Sequence, residues 1–181
     1  MKTFARRTLR FFHTVMFPKQ LAFGVFFLKL FGDKNYCKQL KTKLLDCPEG
    51  TVGHELRCFM DANSLEFVPH YEKHDLKHVL LGYGITAPEE MCMQAFMFGN
   101  AGFRPVITLI TLTFLVWTPD AWRELPYHFL VGRFTRPVGG LRVEDLAHRN
   151  LLEIRQEIGL TEAIWKADLV FGTLKPVHAV R

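Results

Sequence analysis

Apolar residues recur at helical spacing in almost every segment of this chain, and no set of alternating strands exists from which a sheet could be built. That regularity points to an all-α fold, and the punctuation between segments agrees with it. Asp33 stands as a cap before a helix that runs to the Pro48-Glu49-Gly50 turn, with Leu40, Leu44 and Leu45 on one side. Thr51 can cap the next helix, with Leu56, Phe59 and Met60 inward. Helix resumes at about Tyr71, carries the stretch HDLKH and breaks at Gly82-Tyr83-Gly84. Thr86-Ala87-Pro88-Glu89 has the form of a capping box with proline near the helix start, so a new helix begins there. The later run VITLITLTFLVW is too short to span a bilayer, which takes roughly twenty residues, and reads as a buried helix, although its β-branched content also fits a strand. VEDLAHRNLLEIRQEIGL reads as one helix with Leu146, Leu151 and Ile154 inward and Gly159 as its stop. The remainder from Thr161 is weakly patterned.

These elements suit a single helical domain within 181 residues, long enough to bury a core without disulfides. The expected organisation is a basic N-terminal helical region over 1–32, a helical core over 33–160 and a C-terminal tail over 161–181. Charge sets the first of these apart. Residues 1–45 hold ten Lys and Arg against the single acid Asp33, a net +9, while the remainder carries −4. The same stretch is rich in phenylalanine, from Phe4, Phe11 and Phe12 to Phe26, Phe27 and Phe31. Phenylalanines clustered at helical spacing beside Arg6, Arg7 and Arg10 suit an anionic membrane surface better than base stacking, so nucleic acid is not expected as a partner. The plainer alternative is a phenylalanine core with a solvated basic face. Only Ser64 is a serine, which argues against a mitochondrial presequence, and Arg10 and His13 interrupt any signal peptide. Cys37, Cys47, Cys58 and Cys92 form no C-x-x-C pair, which reads as buried thiols in a reducing cytoplasm.

The chemistry concentrates in residues 74–90, HDLKHVLLGYGITAPEE. His74 and His78 lie one helical turn apart on one face, the spacing at which two imidazoles converge on a cation. Asp75 also reaches this face, as a ligand or as an orienting neighbour. The two glutamates separate by role. Glu89 completes the capping box, and Glu90 points about 100° away around the helix, free to act as a ligand when an antiparallel second helix returns beside the first. His70 would extend the stripe by a turn, but Pro69 precedes it. Two nitrogens and two carboxylates suit zinc, iron or manganese. The competing reading makes all four ordinary polar residues at a helix end. A metalloprotease is disfavoured because Asp replaces the glutamate base and the register is shifted.

H-D-x-x-H, eleven residues, then E resembles the metal motif of the ubiquinone (coenzyme Q) biosynthesis protein four family. Upstream, CPEGTVGHELRCFMDAN looks like the family's L-P-E-G-[ST]-x-G stretch, and downstream HRNLLEIRQEIGL is similar to its C-terminal helix ending in R-x-E-x-G. The resemblance spans residues 35–160. It implies an all-α fold and a divalent ion, usually zinc, held by His74, Asp75, His78 and Glu90. It also implies a peripheral membrane protein at the inner face, often a homodimer, working with other quinone-biosynthesis proteins on a prenylated lipid substrate. The implied reaction is oxidative decarboxylation of a prenylated hydroxybenzoate, with Asp75 as a general base if it leaves the metal. Two rivals stand beside this reading: a non-catalytic prenyl-lipid scaffold with a structural metal, and a lipid-phosphate hydrolase using Arg104, Arg133 or Arg136 to hold the anion. MCMQAFMF and VITLITLTFLVW are expected either to wall a lipid groove or to pack as plain core. Replacing Arg6, Arg7 and Arg10 with alanine in the full chain should markedly reduce co-sedimentation with anionic liposomes; equal pelleting would count against electrostatic docking.

Overall fold

The computed structural model describes residues 34–69, 71–102, 115 and 118–171. The basic region 1–32, His70, Arg104, nearly all of VITLITLTFLVW and the chain after Phe171 lie outside these residues. Among the described residues there are eight helices and no strand, so the fold is all-α as the periodicity requires. They are α1 (Lys34–Leu45), α2 (Val52–Ala62), α3 (Glu72–Leu81), α4 (Ala87–Ala101), α5 (Leu125–Phe134), α6 (Val143–Leu146), α7 (Leu151–Glu157) and α8 (Leu160–Phe171).

Local chemistry sets most of the boundaries. The Thr51 side chain accepts from His54 N at the start of α2. At the start of α4, Thr86 Oγ1 accepts from Glu89 N while Glu89 Oε2 accepts from Thr86 N at 3.2 Å, a complete capping box. Gly82 ends α3 in the left-handed region at φ 76°, which a side-chain-bearing residue enters only under strain.

The segment read as one helix over 143–160 is divided. Asn150 takes an extended conformation, and its side chain accepts from Leu152 N at 2.9 Å and Glu153 N at 3.3 Å, capping α7 as a separate helix. The break places residues 147–151 against the turn before α2. Val52 N donates to Arg149 O, Gly53 N to Ala147 O and Leu151 N to Gly50 O, all within 2.9 Å. A Cβ on Gly53 would collide with Ala147 O and the Cys47 and Leu44 side chains, so glycine is needed for this approach. The two sequence stretches that flank the histidine motif therefore dock directly on each other.

One core joins the helices. Leu44 of α1, Leu56 of α2, Leu76 and Leu80 of α3, Met93 and Phe96 of α4, and Ile154 of α7 are almost fully enclosed. Leu40 and Leu44 face inward as expected, but Leu45 is 57% exposed, because it lies about 100° around the helix from Leu44. MCMQAFMF resolves mainly as core: Met91, Cys92, Met93 and Phe96 are buried, and only Phe98 is exposed. Of the weakly patterned residues from Thr161, those up to Phe171 belong to α8, which packs on α5 and buries Leu160, Ala163 and Ala167. Small alanines at the contact positions hide that face from a hydrophobicity pattern. All four thiols are free; Cys47 and Cys92 are buried, whereas Cys58 is exposed.

The closest helix pairing is between α4 and α5. Gly99 of α4 lies against the backbone of Phe129 and Arg133, and Gly132 of α5 against the backbone of Phe96; a Cβ at either would overlap a carbonyl oxygen. Asn100 secures the far end by donating to the carbonyls of Gly132, Thr135 and Arg136 and accepting from Val138 N. Gly132→Ala should destabilise the protein by about 3 kcal/mol, whereas Gly140→Ala, where a Cβ meets nothing within 4 Å, should stay within about 0.5 kcal/mol. Chemical denaturation of both variants checks this.

Candidate metal centre

The site forms at the corner where α3 ends and α4 begins. His78 sits in the last turn of α3, His74 one turn earlier, and Glu90 in the first turn of α4. Beyond this corner α4 packs chiefly on α5, so Glu90 is carried by the tightly locked helix pair. Imidazole and carboxylate converge: His78 Nε2 lies 3.0 Å from His74 Nε2 and 3.1 Å from Glu90 Oε1, and His74 Nε2 lies 3.5 Å from that same oxygen. The rings are held in place by packing. Phe59 stacks on His78 with centroids 5.3 Å apart, and Tyr71 tilts over His74 at 4.3 Å.

The tautomer of His78 is fixed by its surroundings. Its Nδ1 lies 3.1 Å from the backbone carbonyl of Tyr83, which can only accept, so Nδ1 carries the proton. In the neutral ring Nε2 is then a bare lone pair, facing a carboxylate oxygen and a second imidazole nitrogen. A proton can relieve one of these contacts at a time, whereas one divalent cation relieves all three. Zinc held by nitrogen and oxygen about 2.0–2.1 Å away gives tetrahedral edges of about 3.4 Å. The three observed separations fall around that value, and the donor set fits a divalent metal.

The electrostatics are those of an anionic pocket. Burial alone would raise Glu90, but when the facing imidazole nitrogens of His74 and His78 are protonated, their hydrogen bonds and charge outweigh burial and hold the carboxyl at about 2. Burial lowers His74. Burial would also lower His78, yet Glu90, the Tyr83 carbonyl and Asp75 together raise it.

Asp75 is buried beside this group but outside the set of donors that lie within 4.8 Å of one another, so the structure brings together three of the four residues expected as ligands. Burial drives its carboxyl up to about 7; His78 opposes the shift, while Glu90 and Glu72 add to it. Glu89 stays in its capping box, away from the histidines. Sequence reasoning missed three neighbours. Tyr83 supplies the orienting carbonyl. Glu72 is buried on α3, with Oε2 lacking a hydrogen-bond partner. Arg155, inside the R-x-E-x-G stretch, donates from Nε to Leu80 O at 3.0 Å and from Nη2 to Val79 O at 2.9 Å, capping α3 with positive charge. Of the arginines considered as anion holders, Arg136 is engaged with Glu157 O, and Arg133 is exposed on α5.

Fold and site together define a class: an all-α protein with a largely enclosed two-histidine, one-glutamate donor set at a helix corner. No family model and no curated protein matches the chain. Among solved structures, it is similar to a chain from Nostoc punctiforme PCC 73102 described as a candidate ubiquinone biosynthesis protein, at TM-score 0.51 and 25% identity, over 66% of this chain and 67% of that one. This likeness supports a relation to the ubiquinone-biosynthesis proteins.

Two substitutions separate the adjacent glutamates. Glu90→Gln should lower metal content at least about tenfold, by analogy with the loss of weaker outer-shell partners. Glu89→Ala should leave metal content unchanged and cost about 1 kcal/mol through the cap. Elemental analysis of the purified variants, beside denaturation midpoints, checks both.

Proposed function

We propose that the protein is a metal-dependent enzyme acting on a prenylated hydroxybenzoate-type acid, removing the ring carboxyl as carbon dioxide, at a membrane surface. The observation that carries this reading is the convergence of His74, His78 and Glu90 on one point, with His78 Nδ1–H committed to Tyr83 O. The likeness to the Nostoc chain supports placing it in quinone biosynthesis. His74, His78 and Glu90 would hold the ion, with zinc the expected one. When bound, a divalent ion supplies Lewis-acid stabilisation of negative charge developing as the carboxyl departs.

The chain's own residues divide the remaining work. Glu90 and the two imidazoles set the charge of the pocket. Tyr83 and Phe59 fix the direction of His78. Asp75, buried beside the three donors but outside their group, is placed to hold or release a proton as a general acid or base. Among the described residues three donors converge, one short of the four that close a structural zinc site, and this favours the enzyme over the scaffold. No helix among the described residues is long and apolar enough to cross a membrane. Attachment is assigned to the basic, phenylalanine-rich residues 1–32.

Asp75→Asn is the informative variant. It should retain metal but lose turnover of a prenylated hydroxybenzoate by about 100-fold, the scale of a lost general acid or base. Carbon dioxide release and metal content are measured on the same preparation. Loss of metal in Asp75→Asn would make Asp75 a ligand, and unchanged turnover would remove it from the chemistry. Normal turnover by metal-depleted His78→Ala would overturn the metal dependence, and no turnover by metal-loaded wild-type protein would overturn the enzyme reading.

A further inference from the structure

A second group of donors lies farther along α4. Cys92, 4% exposed, faces the start of α5, where Glu124 is the N-cap residue and His128 follows one turn later. One donor atom from each of the three lies within 4.8 Å of the others. The histidine has an orienting partner: its Nδ1 is 2.7 Å from the Tyr83 hydroxyl, and the Tyr83 ring packs edge-on against both His128 and Phe96. The donors also sit on stiff supports. α4 and α5 are locked at Gly99, Gly132 and Asn100, so the separation of Cys92 from Glu124 and His128 is fixed by backbone packing and not by side-chain reach.

We propose that Cys92, Glu124 and His128 form a second divalent-cation site, selective for zinc-class ions over magnesium or calcium. Sulfur, nitrogen and carboxylate oxygen are the donors of borderline-soft ions, and a buried thiol disfavours hard cations that demand oxygen. The surroundings are anionic, with Glu124, Glu89 and Asp120 acting on Cys92, and a cation would offset that field. The three donors among the described residues are one short of a closed tetrahedral set, which suits water or an outside ligand as the fourth. Tyr83 stands between the two sites, with its carbonyl on His78 and its hydroxyl on His128, so occupation of one fixes an orienting partner of the other.

Cobalt distinguishes the sites, because only the second contains sulfur. Full-length protein loaded with cobalt(II) should bind two equivalents and show a thiolate-to-cobalt charge-transfer absorption. Cys92→Ser should abolish that absorption and leave one equivalent. His78→Ala should keep the absorption and lose the other equivalent. Glu124→Gln should weaken the sulfur-containing site about tenfold or more, and it serves in place of Cys92→Ser if circular dichroism shows that variant unfolded. One equivalent without a thiolate band overturns the second site and leaves the first standing. A band that survives in Cys92→Ser overturns the assignment to Cys92, with Cys37, Cys47 and Cys58 as the remaining thiols, the last two beside His148 and His54.

Discussion

A backbone carbonyl can only accept a hydrogen bond, and that fact at Tyr83 organises the candidate centre. It commits one nitrogen of His78 and leaves the other as a lone pair in a crowded, anionic corner. The carbonyl is available because Gly82 turns the chain out of α3 in a left-handed conformation. The direction of the turn is set again by the capping box at Thr86, which brings Glu90 round to the histidines. Break, turn and cap are thus one device. Each part is a local rule of backbone chemistry, and together they bring three donors to a point without any long-range search.

That locality explains what could be read from the letters. His74, His78, Glu89 and Glu90 could be assigned because helical spacing and the capping box are properties of a few adjacent residues. The all-α fold was legible for the same reason. Spacing left Asp75 open between ligand and orienting neighbour, since reaching a helix face does not fix which way a buried carboxylate turns. The carbonyl of Tyr83 carries no side-chain signal. Arg155 and the Glu124–His128 pair act on residues distant in sequence, and nothing in either stretch names its partner. The break at Asn150 was hidden by continuous apolar periodicity across it, although asparagine at a helix start is a known cap. The face of α8 was hidden by alanine, which packs by being small and adds little hydrophobic contrast.

The two flanking stretches take on a physical meaning that neither has alone. Residues 50–53 and 147–151 exchange backbone hydrogen bonds, and Arg155 then reaches from α7 to the last carbonyls of α3. Motif and flanks therefore form one continuous support: α2 is seated on the turn before α7, α7 caps α3, and α3 presents the histidines. Phe59 of α2 closes the circuit by stacking on His78.

That circuit orders the events of biosynthesis. A chain made from its N-terminus exposes both histidines and Glu90 long before Asn150 and Arg155 exist. Until then α2 lacks the strand-like partner at its first turn, and α3 lacks the guanidinium on its carboxyl end. Closing so long a loop carries an entropic cost that local helix formation does not meet. The donor corner is thus complete early in sequence and supported late in time, so the nascent polypeptide passes through a stage in which the three donor side chains exist before the contacts that brace them.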